Sequence, residues 1–316
     1  MMMTRAQASA ALFGAASLLV STARGRAQTL VPIRIATLPI ESAAEVFYAK
    51  DMGFFAKAGL DADIQTMQAS AAMVAAAASN AIDIGYSPVD SLATIHQKSV
   101  PVVTIAPANE YISPSRNAGL VLAVNSPVKQ AKDLNGKIIA VSNLHSISET
   151  TARAWMDKNG GDSSTAKFVE IPFPAMLPAL QTGHVDAAWD AEPFLSAATK
   201  DSRAIEYGFD AIAKRFLIGA WFTTPQWAND HRDTVARFAA AMHETAIWAN
   251  KNAAQSAQIV AKYTKMDPAI LATMTRSVYG ETLTAASMQP LIDISAKYNG
   301  YATFPAQELI YTAPKA

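Results

Sequence analysis

The chain has 316 residues, 51% hydrophobic and 16% charged, a balance that excludes a disordered polymer and permits a large buried core. Basic and acidic residues number 26 each, so no electrostatic footprint points to nucleic acid or another polyanion. Cysteine is absent, which removes disulfides, thiolate zinc sites, iron-sulfur clusters and cysteine nucleophiles together.

Residues 1–27 read as a secretory signal peptide. Arg5 supplies the positive start, 10–20 is an apolar run, and Gly25 and Ala27 give a small-x-small cleavage site. The run is about half of the roughly 20 residues a membrane span needs. No cysteine follows it, so a lipid anchor is excluded. Cleavage removes Arg5, Arg24 and Arg26 and leaves 23 basic against 26 acidic residues. Export in a cell with two membranes places the mature chain in the periplasm.

Beyond the leader, short apolar strands alternate with helical stretches, the pattern of parallel βαβ units. Strands are expected at 33–38, 62–67, 82–86 and 102–106, with helices at 43–52, 70–80 and 88–97. A polar stretch over 110–117 reads as a linker. A second set follows, with strands at 120–124, 137–141, 167–171 and 185–189 and helices at 147–158 and 176–181. After a strand at 218–223 the chain is helical from 233 onward. Helices with an apolar face need a surface to cover, and these are expected to pack back on the first unit. The reading is therefore an α/β chain of two lobes, the first from 28–114 with 227–316 and the second from 115–226.

Setting Asp83 against Asp186 aligns the two sets. Ile82 pairs with Val185, Tyr86 with Trp189, and Ser87 with Asp190. In each, an Asp-bearing turn opens a short strand that ends on an aromatic residue.

Open parallel sheets bind ligands beyond the carboxyl ends of their strands, and three such junctions carry recognisable chemistry. Ser42 with Glu45, and Ser146 with Glu149, match the capping box of a helix start. Ser87 before Pro88 suits a cap followed by the first helical position. A helix start offers unpaired amides and a partial positive charge to an anion. The loop Ser142, Asn143, Leu144, His145, Ser146 is dense in short hydrogen-bonding side chains, with His145 a donor when protonated. Tyr86 and Trp189 end equivalent strands, where aromatic faces can hold a planar or aliphatic guest. Glu41, Asp190 and Glu192 lie beside the same loops and can accept hydrogen bonds from an amine or amidine.

From 33 to 60 the chain resembles the opening of periplasmic solute-binding proteins of the nitrate, sulfonate, taurine and thiamine-pyrimidine-precursor group, with Gly53-Phe54-Phe55 before Gly59-Leu60. Ala81-Ile82-Asp83-Ile84-Gly85, Val100-Pro101-Val102-Val103, Asp133-Leu134-Asn135-Gly136-Lys137, and Ala179-Leu180 through Glu192-Pro193 continue the likeness in order. The resemblance implies a two-lobed periplasmic binding protein fold of type II with two crossover segments. It also implies a small-molecule ligand between the lobes and delivery to the membrane permease of an ABC importer. Carried onto this chain, the cleft would lie around Glu41 and Ser42, Tyr86 and Ser87, Ser142 to Ser146, and Trp189 to Glu192. Sulfonate and taurine members tend to carry a glycine-serine-serine type of loop at the third junction, from which Ser142-Asn143-Leu144-His145-Ser146 departs. The iron-binding, cysteine-rich segment of the pyrimidine-synthesising relatives has no counterpart here.

An exported hydrolase or lyase is the competing class. Ser126-Pro127-Val128-Lys129 and Ser164-Thr165-Ala166-Lys167 spell serine-x-x-lysine, but neither opens an evident buried helix. The five histidines, His96, His145, His184, His231 and His243, show no His-x-x-x-His spacing. No catalytic residue, metal or cofactor is called for, and a monomer without a nucleic-acid partner is expected.

Overall fold

The computed structural model describes residues 29–264 and 266–314; the leader read at 1–27 lies outside them. Two five-stranded sheets dominate. The first runs in the order Leu60–Thr66, Val31–Thr37, Ile84–Pro88, Gly219–Thr223, Val103–Pro107. Its first three strands are parallel, and Gly219–Thr223 is antiparallel to both neighbours. The second runs Lys167–Glu170, Ile138–Val141, Ala187–Ala191, Ala118–Ala123, Ser202–Tyr207, again three parallel strands followed by one antiparallel to both sides. The central strands Ile84–Pro88 and Ala187–Ala191 are buried for four successive residues, as expected where helices cover both faces of a sheet.

Both sheets start their third strand in the same way. Asp83 receives the backbone N–H of Arg34 on its carboxylate at 2.8 Å and returns its own N–H to the Arg34 carbonyl at 2.9 Å. Asp186 receives the Ile138 N–H at 2.9 Å and donates to the Ile138 carbonyl at 2.8 Å. A basic side chain closes each turn, Arg34 on Asp83 at 2.5 Å and Lys137 on Asp186 at 3.3 Å. The Asp83–Asp186 correspondence is thus one repeated device, a carboxylate that satisfies an amide ahead of the ladder.

The span 115–226 read as the second lobe contributes strands to more than one sheet. Gly219–Thr223 sits inside the first sheet, with Trp221 opposite Tyr86 and Ala106. The stretch read as a linker is also structured. Asn109–Ile112 pairs antiparallel with Arg215–Leu217 and with Val278–Tyr279 in a small third sheet. Both chain crossings between the large sheets therefore run side by side, the geometry of a two-stranded hinge.

The long helix Arg232–Lys251 packs on the first sheet's layer, with Phe238 stacked on Phe55 at 5.8 Å and edge-on to Trp221 at 6.1 Å. The last helix, Ala285–Asn299, touches both lobes. Tyr298 donates to Asp157 of the second lobe at 2.9 Å, while Asn299 reaches Thr94 of the first at 3.4 Å. Among the described residues, no helix is long and apolar enough to cross a membrane.

Candidate functional site: a cavity between the lobes

The carboxyl ends of both central strands face a shared cavity. Leu38, Ile40, Ser42, Tyr86 and Pro88 line it from the first lobe; Ala118, Ser142, Asn143, Ser146, Ile147, Ser148, Phe173, Trp189, Ala191 and Phe209 line it from the second. The hinge segments add Asn109, Asn117 and Ile218. The cavity measures about 60 Å³, room for roughly four to six waters at about 10–15 Å³ each. Every lining side chain is uncharged, so recognition there rests on hydrogen bonds, dipoles and apolar contact.

On the first lobe, Tyr86 is 1% exposed, and its hydroxyl donates to Asn109 Oδ1 at 2.8 Å. The Ser42 hydroxyl also interacts with that phenol, and burial raises the Tyr86 pKa above its ordinary value. The pair meets above Gly219, where an added Cβ would lie 2.5 Å from both the Tyr86 hydroxyl and Asn109 Oδ1. With its carbonyl occupied, Asn109 keeps its amide N–H groups as donors. Trp189, 1% exposed, forms the opposing wall and leans on Phe209 at 5.7 Å.

The loop after Ile138–Val141 leads into the helix Ile147–Lys158. Ser142 and Ser148 share a hydrogen bond at 3.1 Å, and Ser146 donates to the Asn143 carbonyl at 2.6 Å. Ser146 holds the N-cap position with extended backbone but makes no side-chain cap. Glu149 reaches back to the His145 N–H at 2.9 Å. The expected capping box therefore does not form, because the Ser146 hydroxyl is turned to the loop and Glu149 takes the N–H of the residue before the cap. Among the described residues, the N–H groups of Ile147, Ser148 and Glu149 have no protein acceptor. They open a twelve-residue helix whose first turn lines the cavity, the arrangement that favours negative or electron-rich groups.

The other two expected caps do not form. Ser42 lies within the 3-10 turn Glu41–Ala43, and the next helix begins at Glu45 behind Ala44 with no side-chain cap. Pro88, not Ser87, precedes the helix Val89–Gln97, and the Ser87 hydroxyl turns to the Pro88 carbonyl.

Six of the sequence-derived residues therefore meet at the cavity: Ser42, Tyr86, Ser142, Asn143, Ser146 and Trp189. Five do not line it. Glu41 is buried against the C-terminal segment, ion-paired to Arg276 at 3.1 Å and accepting the Ser277 N–H at 3.0 Å. Ser87 is buried in its own strand end. His145 is exposed with φ 58° and its ring meets Asn299 at 3.1 Å. Asp190 points off the lining and accepts the Ala191 N–H at 2.9 Å; burial pushes its carboxyl up to about 7. Glu192 holds the Ser196 N–H and hydroxyl at 3.0 and 2.7 Å and the Thr275 N–H at 3.3 Å, and burial raises its pKa.

Residues missed by the sequence reading come mainly from the hinge and the loops. Asn109 precedes the stretch read as a linker and Asn117 ends it, and Asn117 Oδ1 is buried without a partner. Phe173 follows a strand of the second sheet, so the strand-end rule that chose Ser142 would have reached it. The serines of both serine-x-x-lysine matches fall on loops, with Ser164 exposed and bonded to Asp162 at 2.6 Å. Among the described residues no cluster of His, Asp and Glu is arranged to hold a metal ion.

Next to the cavity the two lobes touch through a buried carboxyl group. Asp90, fully buried in the first turn of Val89–Gln97, receives the Thr150 hydroxyl of the second lobe at 3.5 Å. Its other oxygen accepts the Ser91 N–H at 2.8 Å. Burial pushes its pKa up to about 8, with Glu149 adding to the rise. Glu149 is itself paired with Arg153 at 2.7 Å.

The model of a known protein family, described as NMT1/THI5 like, matches residues 41–256, more than half of the chain. The chain belongs to the NMT1/THI5-like family. The taurine-binding periplasmic protein of Escherichia coli strain K12 is 25% identical over 199 residues, 60% of this chain and 58% of that relative. The match thus spans less than two thirds of the relative's length. The crystal structure of the periplasmic aliphatic sulphonate binding protein SsuA from Escherichia coli is similar with a TM-score of 0.71 at 18% identity, covering 90% of this chain and 93% of that one. A ligand-binding component of an ABC-type import system from Staphylococcus aureus reaches a TM-score of 0.75 at 13% identity over 89% and 96% of the two chains. These solved structures place the fold among periplasmic binding proteins, as the two sheets and paired crossings indicate.

Proposed function

We propose that this chain is the solute-binding component of an ABC-type importer. It is exported to the periplasm by its leader, closes as a monomer over one small solute, and hands it to a membrane permease. Its two lobes are the discontinuous first unit, with the C-terminal helices, and the inserted second unit. The observation that carries the reading is the cavity itself, built from the strand ends of both lobes and the hinge and lined by uncharged donors and aromatic rings. Such walls suit binding and orienting a guest.

Family membership and the printed functions of the taurine- and sulphonate-binding relatives support capture and delivery. The three free amides at Ile147–Glu149, with the serine hydroxyls, favour an anionic or strongly accepting head group. Trp189 and Phe209 suit a planar or aliphatic body. Sulfonates, nitrate, taurine, aromatic carboxylates and pyrimidines form the screening panel. A solute at a hundred times its dissociation constant adds about 2.7 kcal/mol of stability, so thermal shift reads binding directly. One class should shift the melting temperature and titrate at one solute per chain. A panel without any shift, or consumption of the solute, counts against the reading.

A further inference from the structure

Two adjacent residues of the last helix, Ala285–Asn299, hold opposite ends of one helix in the other lobe. Tyr298 donates to Asp157 Oδ2, in the last turn of Ile147–Lys158, at 2.9 Å. The other oxygen of Asp157 accepts the Ser163 N–H at 2.9 Å, so the carboxylate is fixed from within the second lobe. Asn299 Oδ1 meets the His145 ring at 3.1 Å, two residues ahead of the same helix. The amide nitrogen of Asn299 is anchored in the first lobe, on Ser295 Oγ at 2.8 Å and Thr94 Oγ1 at 3.4 Å. Between these two points Asp90 receives the Thr150 hydroxyl at 3.5 Å. At 1.5 Å per residue the gripped helix is about 18 Å long, and the first lobe holds it from before its start to its last turn. Tyr298, Asn299, His145 and Asp157 all lie off the cavity lining, so the grip needs no guest to bridge the lobes. The free amides of Ile147 and Ser148 open the gripped helix, and their aim at the cavity is set by the first lobe's last helix.

We infer that Tyr298 and Asn299 form a latch, positioning residues that hold the second lobe shut on the first without touching a guest. The ligand-free chain therefore spends a measurable fraction of its time closed, with the first turn of Ile147–Lys158 already set at the cavity. The latch takes its purpose from the binding reading above, while closure itself is measured without any guest. Each latch bond forms in the closed arrangement and is exchanged for bonds to water in the open one. A net gain of that kind multiplies the closed-to-open ratio by about two to ten per bond.

The chain has no cysteine, so Ala72→Cys and Ala175→Cys, both exposed and on opposite lobes, carry two spin labels at defined places. Double electron–electron resonance on the ligand-free mature chain then reads the distance between the lobes. A population at the distance of the present structure should appear beside a longer one. Y298F and N299A should each lower the closed-to-open ratio about two- to ten-fold, and the double variant should lower it further. Adding D157N to Y298F should change nothing more, because the bond is already gone. Melting temperatures confirm that each variant is folded, and N299A keeps the test open if Y298F is not. A ligand-free chain that shows only the open distance, or an unchanged ratio in the folded variants, overturns the latch. Taurine, nitrate and methanesulfonate are then added in turn. A closed fraction that rises with one of them supports latch and binding reading together. A ratio that responds to the substitutions in a chain that takes up none of the three supports the latch and counts against the binding reading.

Discussion

Asp90 offers a quantitative test of lobe closure. Its carboxyl is fully buried at the contact between lobes, facing Thr150 and Glu149 from the second lobe and the Tyr86 and Tyr301 phenols from the first. Its pKa is pushed up to about 8 from 3.8, chiefly by burial. When the lobes part, water reaches the group and returns it to its ordinary value. A pKa raised in the closed form means closure takes up a proton. The stabilisation is complete below about pH 4, falls as pH rises, and is gone above about pH 8. A four-unit difference corresponds to about 6 kcal/mol at most, since each unit is about 1.4 kcal/mol; water penetration reduces it. Guest affinity should therefore weaken by up to about ten-fold per pH unit between pH 5 and 7. Calorimetry at pH 6 in buffers of different ionisation enthalpy, using a guest that does not titrate there, should report close to one proton taken up per guest. D90N should abolish the uptake and flatten the pH profile. Zero uptake in the wild type, or the same slope in D90N, would refute the reasoning.

Other substitutions follow from the same geometry. Gly219→Ala places a methyl group 2.5 Å from the Tyr86 hydroxyl and Asn109 Oδ1; denaturant titration should show a loss of about 1–3 kcal/mol from overpacking, with weaker guest binding because Tyr86 moves. Trp189→Ala removes a ring that is 1% exposed. It should cost about 3–5 kcal/mol of stability, so binding must be measured below the variant's melting temperature, where affinity should also fall by about 1–3 kcal/mol. Glu41→Gln leaves Arg276 buried without its counter-charge and should destabilise by about 3–5 kcal/mol. Its urea midpoint should fall, whereas a wild-type midpoint would remove the ion pair from the account.

The sequence reading located most of the sheet because burial on both faces leaves short apolar runs, and an aspartate announces each third strand. Helix Ile147–Lys158 was expected over its observed span, since its polar start and apolar periodicity are local signals. Partner choice was not local. Gly219–Thr223 is a plain apolar strand, and nothing within it tells that its neighbours are Ile84–Pro88 and Val103–Pro107. Asn109–Ile112 is too short, and too close to prolines, to read as a strand until Arg215–Leu217 pairs with it. At the site, strand-end position was legible but side-chain direction was not. Glu41 and Ser42 are neighbours, yet one turns to Arg276 and the other to the cavity. The deciding partner of Glu41 comes from the far end of the chain.

Hydrogen exchange, with and without the solute that gives the largest thermal shift, tests most directly whether one guest is held by both lobes. The account predicts that protection rises together at the first turn of Ile147–Lys158, at the end of Ile84–Pro88, and along the hinge strand Asn109–Ile112. Protection confined to one lobe, with the hinge unchanged, would contradict it.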